Sequence, residues 1–148
     1  MAIPVKTNYL NAIKTALETI TQIKKVLRNP PKPYDRETQP FPVCFMFDAT
    51  DTNTDRNRIQ MKGFDLQIEV WIEDQNGEVD IGDMGDIMQA EIHNKLIDNK
   101  DILKYGMNLT EISCTKFYAD ETMGGIILAY RAAYCHKRGD AYDGAGKG

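Results

Sequence analysis

The sequence predicts an α/β fold of the α+β type, and three observations lead to this prediction. Two segments carry apolar residues at helical spacing, four shorter segments are rich in β-branched and aromatic residues, and turn-forming residues separate them. The elements follow the order α-β-β-α-β-β. Because a hairpin lies on each side of the central helix, we expect a four-stranded, largely antiparallel sheet with two helices packed on one face.

The first predicted helix covers residues 5–28. Its apolar residues recur at spacings of three and four, which places them on one stripe of an amphipathic helix; they are Leu10, Ile13, Leu17, Ile20 and Leu27. Three prolines within residues 29–33 end this pattern, because proline cannot continue the hydrogen-bond ladder of a helix. Residues 30–40 are therefore expected to form a proline-rich linker.

Two strands are predicted next, at residues 41–47 and 64–72. The second one alternates apolar residues with polar and acidic residues, so we expect one buried face and one solvated face. Between the two strands, residues 48–58 are polar and too numerous for a tight hairpin turn. We expect a long loop there, and loops of this length are often functional.

The second half of the chain repeats the pattern. A helix is predicted over residues 80–99, with acidic residues in its first turn, and strands follow at 109–118 and 126–136. Gly124 and Gly125 predict a turn between these strands, since no helix or phosphate-binding sequence follows them. Residues 1–140 should form a single domain, and residues 141–148 a flexible tail.

The composition of the chain excludes some classes of protein. The chain has 148 residues and a net charge of −4, and no apolar run approaches the ~20 residues that a membrane-spanning helix needs. The N-terminal residues lack the pattern of a secretory signal, so we expect a protein that is made in the cytosol and does not enter a membrane. Three widely spaced cysteines, each within an apolar segment, indicate buried reduced thiols; they are Cys44, Cys114 and Cys135.

Charge is distributed unevenly along the chain. Residues 1–40 carry a net charge of +4 and residues 41–148 carry −8. No lysine or arginine lies between Lys62 and Lys95, and this acidic stretch should repel nucleic acid phosphates. Its acidic side chains provide a candidate lumen or partner surface, represented by Asp65, Glu69, Glu73, Asp83 and Asp86.

Two short basic clusters are the candidate interface between subunits or with a partner. They consist of Arg56, Arg58 and Lys62, and of His136, Lys137 and Arg138. Clusters of this size are most often solvated strand ends, and the alternative is contact with an acidic protein surface. If they contact the acidic stretch of a neighbouring copy, the interface is head-to-tail, and repeated head-to-tail contacts close into rings.

No pattern of catalytic or metal-ligating residues is found. Residues 51–55 match the opening of a calcium loop, but Arg56 and Lys62 occupy the positions where such a loop needs glycine and glutamate. Cys135 and His136 are adjacent on a strand and should point to opposite faces, which favours a buried cysteine and a solvated histidine. We therefore expect no catalytic residue, no metal and no cofactor.

A family resemblance rests on several segments. They are residues 41–47, 63–72 and 90–96, and a last strand that ends in Tyr134, His136, Gly139 and Asp140. Together with the basic first helix, these segments resemble the tail terminator, or tail completion, proteins of tailed bacteriophages over residues 5–140.

The resemblance implies an α/β protein that binds and does not catalyse. It implies a hexameric ring that caps the tail tube at its final length and presents its other face to the head–tail connector. The implied partners are further copies of the chain, the tail tube protein and the connector protein, with DNA passing through without specific binding. The implied location is the tail–head junction of the virion, after assembly in the host cytoplasm.

Two other classes of function stay open at this point. A head-closure or neck connector protein of the virion shares the small size and the ring symmetry. A small cytosolic enzyme would use Asp83, Asp86 or His93 and would need a deep pocket with converging polar groups.

Overall fold

The computed structural model describes residues 2–30, 40–56, 58–74, 77 and 80–144, and it leaves out the side chains of Thr50, Asp55 and Arg56. Within these residues, three helices and five strands follow one another. They are α1 Val5–Glu18, β1 Lys25–Arg28, β2 Val43–Arg56, β3 Ile59–Glu73, α2 Ile81–Leu96, α3 Lys100–Leu103, β4 Thr110–Asp120 and β5 Met123–Lys137.

The strands form one mixed sheet in the order β1-β2-β3-β5-β4. β1 runs parallel to β2, and every other neighbouring pair is antiparallel. The predicted four-stranded sheet with two helices, in the order α-β-β-α-β-β, is therefore wrong. The described part of the chain has an additional edge strand and the short helix α3.

The additional strand comes from the second half of the predicted first helix. α1 ends at Glu18, where the Thr19 hydroxyl donates a hydrogen bond to the carbonyl of Ala16. Ile20 and Ile23 continue into the core from a turn, and Val26 enters it from β1. Most apolar residues of the predicted stripe are thus buried. They belong, however, to a helix, a turn and a parallel strand in succession, and not to one helix.

The core lies between one face of the sheet and the helices α1 and α2. Alternate residues of β3 from Phe64 to Ile72 are buried, which confirms the predicted alternation of this strand. Tyr9 of α1 is fully buried, packs edge-on against Phe64, and donates a hydrogen bond to the carbonyl of Met107 over 2.6 Å. On the opposite face of the sheet, Trp71 packs against Phe117.

α2 begins and ends close to its predicted bounds. Asp80 caps it by accepting a hydrogen bond from the backbone N–H of Asp83, which satisfies one of the N–H groups that a helix start leaves free. Gly85 lets the helix approach the sheet, because a Cβ there would lie 2.9 Å from Ile126. Asn99 caps α3 in the same way as Asp80 caps α2.

The predicted long loop at residues 48–58 is wrong. β2 continues to Arg56 and β3 begins at Ile59, so the two strands form a hairpin that is paired down to these residues. Residues 51–54 are exposed, so this part of the hairpin extends beyond the core. Hydrogen bonds between β2 and β3 stabilise the strand conformation of these residues, although their polar residue types also favour turns.

The glycine pair and the tail also differ from the prediction. Gly124 and Gly125 lie within β5, and a Cβ on Gly125 would lie 1.8 Å from the carbonyl oxygen of Val70 on β3. The pair therefore permits close strand packing, and the turn precedes it. Residues 141–144 are attached to the fold, since the Ala141 carbonyl accepts a hydrogen bond from Val5.

The predictions for the linker and for the end of the tail fall on residues that the structure does not describe. Residues 31–39 of the predicted linker and residues 145–148 of the predicted tail are not among the described residues. Among the residues that are described, no helix has the length and apolarity needed to cross a membrane.

Candidate functional site: a basic end of the sheet

The two basic clusters that the sequence separates lie together in the structure. Ile59 at the start of β3 pairs with Lys137 at the end of β5, and the backbone N–H of Arg138 donates to the Arg58 carbonyl over 2.7 Å. Both clusters are therefore at the same end of the sheet. We define the basic end by Arg58, Lys62, Lys137 and Arg138.

The basic end is built around a tight turn. Gly139 has a φ of +82°, a left-handed conformation that glycine adopts without strain, and the Asp140 N–H donates to the Lys137 carbonyl. This turn leaves Arg138 exposed next to the exposed Arg58. Lys137 forms an ion pair with Asp143 at 3.3 Å, and the exposed Arg58 and Arg138 supply further positive charge at this end of the sheet.

Lys62 and Arg56 contribute less directly. Lys62 is half-buried and lies opposite Tyr134 of β5. Arg56 is the last residue of β2, and its backbone pairs with Ile59, which places it at the same end of the sheet.

His136 is not part of this surface. It is only 5% exposed, and its Nδ1 donates to the carbonyl of Lys137 over 2.7 Å. The expected solvated histidine is therefore wrong, and Cys135 beside it is buried as well. The prediction of three buried cysteines holds for Cys44 and Cys135, whereas Cys114 is half-buried.

The five acidic residues proposed as a lumen or partner surface do not form one surface. Asp65, Glu69 and Glu73 lie on the face of β3 that points away from the helices. Asp83 and Asp86 lie on α2, which covers the other face of the sheet. Side chains alternate between the two faces of the sheet along β3, and all three acids of β3 are on the face away from the helices. α2 covers the other face. Acidic residues that are close in sequence are therefore on opposite sides of the sheet.

Several of these acids have local partners. Asp86 binds Lys116 of β4 at 2.8 Å, and this hydrogen bond raises the pKa of Lys116 above its ordinary value. Glu69 accepts a hydrogen bond from the indole N–H of Trp71, and Asp65 lies 3.8 Å from Arg131. The acids on the two faces of the sheet are thus held by different neighbours.

A second surface is formed by β4 and the outward side of α2, and we call it the β4 flank. Three exposed apolar side chains lie on it: Ile87, Ile112 and Tyr118. Glu111 of β4 accepts a hydrogen bond from Gln89 over 3.0 Å and lies 3.6 Å from His93 Nδ1. Sequence reasoning missed this flank, although Phe117 and Tyr118 are adjacent on β4 and therefore point to opposite faces of the sheet.

A cluster around Asp48 was also missed. Asp48 accepts hydrogen bonds from Arg28 at the end of β1 and from Asn29, and it forms an ion pair with Lys6 of α1. Lys6 binds Asp51 as well, at 2.7 Å. This cluster attaches β1 and α1 to the base of the extended hairpin, and it places Asp51 of the calcium-like sequence in an ion pair.

A groove of about 530 Å³ lies between α1 and α3, on another side of the molecule. It is lined by Asn8, Asn11, Ala12, Thr15, Ala16, Thr19, Lys95, Asn99, Asp101, Lys104 and Tyr105. Asp83, Asp86 and His93, the residues that the enzyme alternative requires, do not line it. Within the described residues, no group of three or more His, Cys, Asp or Glu side chains is placed to hold a metal ion.

No protein-family model matches this chain, and no curated protein matches its sequence.

Proposed function

We propose that this protein is a non-enzymatic virion assembly protein that forms a ring on the end of a phage tail tube. The ring ends polymerisation of the tube and provides the surface on which the head joins the tail. The observation that carries the proposal is the basic end, where the tip of the extended β2–β3 hairpin and the end of β5 present Arg58 and Arg138 side by side.

The position of the basic end suits it for contact with another protein. The hairpin strands are paired as far as Arg56 and Ile59, with one irregularity between Ala49 and Asp51, so hydrogen bonds between strands support the tip beyond the core. A β-strand rises ~3.3 Å per residue, and the 15 residues of β3 therefore carry this tip ~45 Å from the other end of the sheet. Specific contacts are most often made by segments that a rigid scaffold presents in this way.

A ring stops polymerisation by occupying the last tube subunits while offering no copy of the surface that the next tube ring needs. Six copies would carry a formal net charge of about −24, since each chain carries −4. Such a ring repels the phosphates of DNA, which favours passage of the genome without adhesion.

The test combines the purified protein with the tail tube protein encoded in the same genome. We expect a hexamer by native mass spectrometry and tubes that stop growing once capped, with a ring at one end by negative-stain microscopy. Rings that bind the head connector but never the tube would instead assign the protein to the neck of the virion. A strict monomer that associates with neither would contradict the proposal.

Charge reversal tests the basic end. The double variant Arg58→Glu with Arg138→Glu should fold as the wild type does, because both side chains are exposed, and should bind its partner surface about tenfold or more weakly. Lys100→Glu with Lys104→Glu is the matched control, since both lysines are exposed and lie at α3, Lys100 as its first residue and Lys104 directly after its end. Equal loss of binding in both double variants would remove the basic end from the interface.

A further inference from the structure

Six of the seven large apolar side chains that are exposed in the described part of the chain belong to two groups. The first group is on the β4 flank and consists of Ile87, Ile112 and Tyr118. The second group, which we call the terminal patch, consists of Ile3, Met107 and Tyr142. These six side chains are between 44% and 66% exposed. Single exposed apolar residues are common on proteins, whereas groups of them mark surfaces that contact other molecules.

The terminal patch combines three segments that are distant in sequence. The Val5 N–H donates to the Ala141 carbonyl, so Ile3 and Tyr142 are each within two residues of this hydrogen bond. The carbonyl of Met107 also accepts a hydrogen bond from α1, one helical turn further along. Hydrogen bonds therefore hold the backbone close to all three exposed side chains.

The terminal patch is continuous with the basic end. The Tyr142 N–H donates to the carboxylate of Asp140. The Lys137 N–H donates to the carbonyl of Asp143, which closes the turn that contains Arg138. The four residues of the basic end and the two acids of this turn together give a formal charge of +2. The terminal patch thus has a basic border.

The apolar residues of the β4 flank have an acidic border instead. Tyr118 packs over the first turn of α2, since a Cβ on Gly82 would lie 3.3 Å from the Tyr118 hydroxyl oxygen. The contacts of β4 with Asp86 and Gln89 place the charged residues of the flank on the same side of the sheet as Tyr118. These residues are Asp83, Asp86, Glu111 and Lys116, and together they give a formal charge of −2.

Contacts between two like surfaces are unfavourable. Two terminal patches would bring Arg58 and Arg138 of one copy close to the same arginines of another, and two β4 flanks would bring Asp83 and Asp86 close to their counterparts. Repulsion between like charges disfavours both arrangements. A terminal patch against a β4 flank instead buries apolar side chains of both copies and places opposite charges around them.

We infer that the terminal patch, with its basic border, binds the β4 flank of a second copy of this chain. Tyr142 and Tyr118 supply aromatic area and Arg58 and Arg138 supply charge, and these residue types dominate the binding energy of protein interfaces. The inference rests on the self-association in the proposed function, for which it names the surface that the basic end contacts. It does not depend on the tail tube as a partner.

This contact is of the kind that closes into a ring. The basic end is at the end of the sheet strands, whereas the β4 flank is along the side of the sheet. Each copy therefore contributes two different surfaces, and each successive copy is rotated relative to the one before it. Head-to-tail contacts of this kind form a ring when the rotation closes.

A charge exchange tests the contact. One variant carries Arg58→Glu with Arg138→Glu, and the other carries Asp83→Lys with Asp86→Lys; all four side chains are exposed. The formal charge becomes −2 on both surfaces of the first variant and +2 on both surfaces of the second. The self-association of each variant alone should therefore weaken about tenfold or more.

Mixing the two variants should restore association. In an equimolar mixture, every contact between the two variants joins opposite charges, and we expect rings in which the two chains alternate. Analytical ultracentrifugation measures the association, and native mass spectrometry measures the ratio of the two chains. Recovery in the mixture also shows that both variants are folded.

Other results would overturn the inference. One such result is a variant that associates alone as the wild type does. Another is a mixture that associates no better than its components, although circular dichroism shows both to be folded. If wild-type rings still cap tail tubes in that case, the proposed function stands. Mixed rings that never bind tubes would retain the inference and contradict the proposed function, and a wild-type chain that never self-associates would overturn both.

A tyrosine substitution tests the apolar part of the contact. Tyr142→Ser should weaken self-association about tenfold, because exposed tyrosines at interface centres contribute strongly to binding. Tyr105→Ser is the matched control, since Tyr105 is also exposed but lines the groove between α1 and α3, and this variant should associate as the wild type does. Equal association of the Tyr142→Ser protein and the wild type would remove the terminal patch from the contact and overturn the inference.

Discussion

Asp48 shows how one residue joins three elements. Its side chain is only 11% exposed, and hydrogen bonds from Arg28 and Asn29 and the ion pair with Lys6 meet on its carboxylate. Burial by itself would raise the pKa of Asp48, but the hydrogen bonds from Asn29 and Arg28 and the charge of Arg28 outweigh it and lower this pKa below its ordinary value. The ionised form is therefore the one that stabilises the fold.

A dependence of stability on pH follows from this shift. An acid whose pKa is lowered by folding contributes its full stabilisation above its unfolded pKa of ~3.9. The contribution is lost as the pH falls through the lower pKa of the folded state. Asp48→Asn should reduce the free energy of unfolding by ~1–3 kcal/mol at neutral pH, because it weakens a hydrogen-bonded cluster of charges. The reduction should shrink at acid pH.

Urea unfolding at a series of pH values measures this effect. Asp101→Asn is the matched control, since the Asp101 side chain is 80% exposed and its partner Lys104 is exposed as well. We expect the control to change the free energy of unfolding by less than ~0.5 kcal/mol. An Asp48→Asn protein with the pH profile of the wild type would contradict the assignment.

Among the elements, β3 was the most predictable and β1 the least. The alternation of β3 reports directly which face is buried, so its position and exposed face follow from the sequence. β1 could not be found in this way, because Ile20, Ile23 and Val26 fit a helical stripe as well as they fit a turn and a strand. Only pairing with β2, a contact distant in sequence, decides between the two.

The extended hairpin was missed for a related physical reason. Its residues 51–54 are small, polar or acidic, and they carry no apolar alternation. Strand geometry there depends on hydrogen bonds to residues 61–64 of β3. An apolar periodicity in the sequence indicates which residues are buried. It therefore cannot indicate a strand that has neither face buried.

The cap of α2 provides a prediction for a single element. Asp80→Ala removes the side chain that accepts the Asp83 N–H, and we expect the free energy of unfolding to fall by ~1 kcal/mol. Asp80→Asn should cost only a few tenths, since asparagine caps helices about as well as aspartate. Thermal unfolding of the three proteins measures the difference, and equal losses in both variants would show that the cap is not the cause.

For the whole molecule, the candidate site was only partly predictable. The two basic clusters were identified in the sequence, and the structure brings Arg58 and Arg138 together. The two arginines are close together because β3 pairs with β5. That strand pairing could not be predicted from the sequence. The acidic stretch was read as one surface, but it alternates across β3 and continues on α2, so it separates into two.

Salt should weaken self-association if charge complementarity guides it. At ~50 mM salt the screening length exceeds the separation of paired charges, and at ~500 mM it is comparable to a single contact. We expect the dissociation constant between copies to rise over this range by at least tenfold, while the free energy of unfolding of the monomer changes little. Analytical ultracentrifugation measures the first quantity, and tighter association at high salt would show that apolar contacts dominate.

The position of β5 has a consequence for synthesis of the chain on the ribosome. Of the five described strands β5 is made last, yet it lies between β3 and β4 and supplies Tyr134, against which Tyr9 of α1 packs. β4 pairs with no other strand in the described part of the chain. The first helix therefore emerges well before its binding site exists, and the domain can close only when nearly all of its residues have left the exit tunnel.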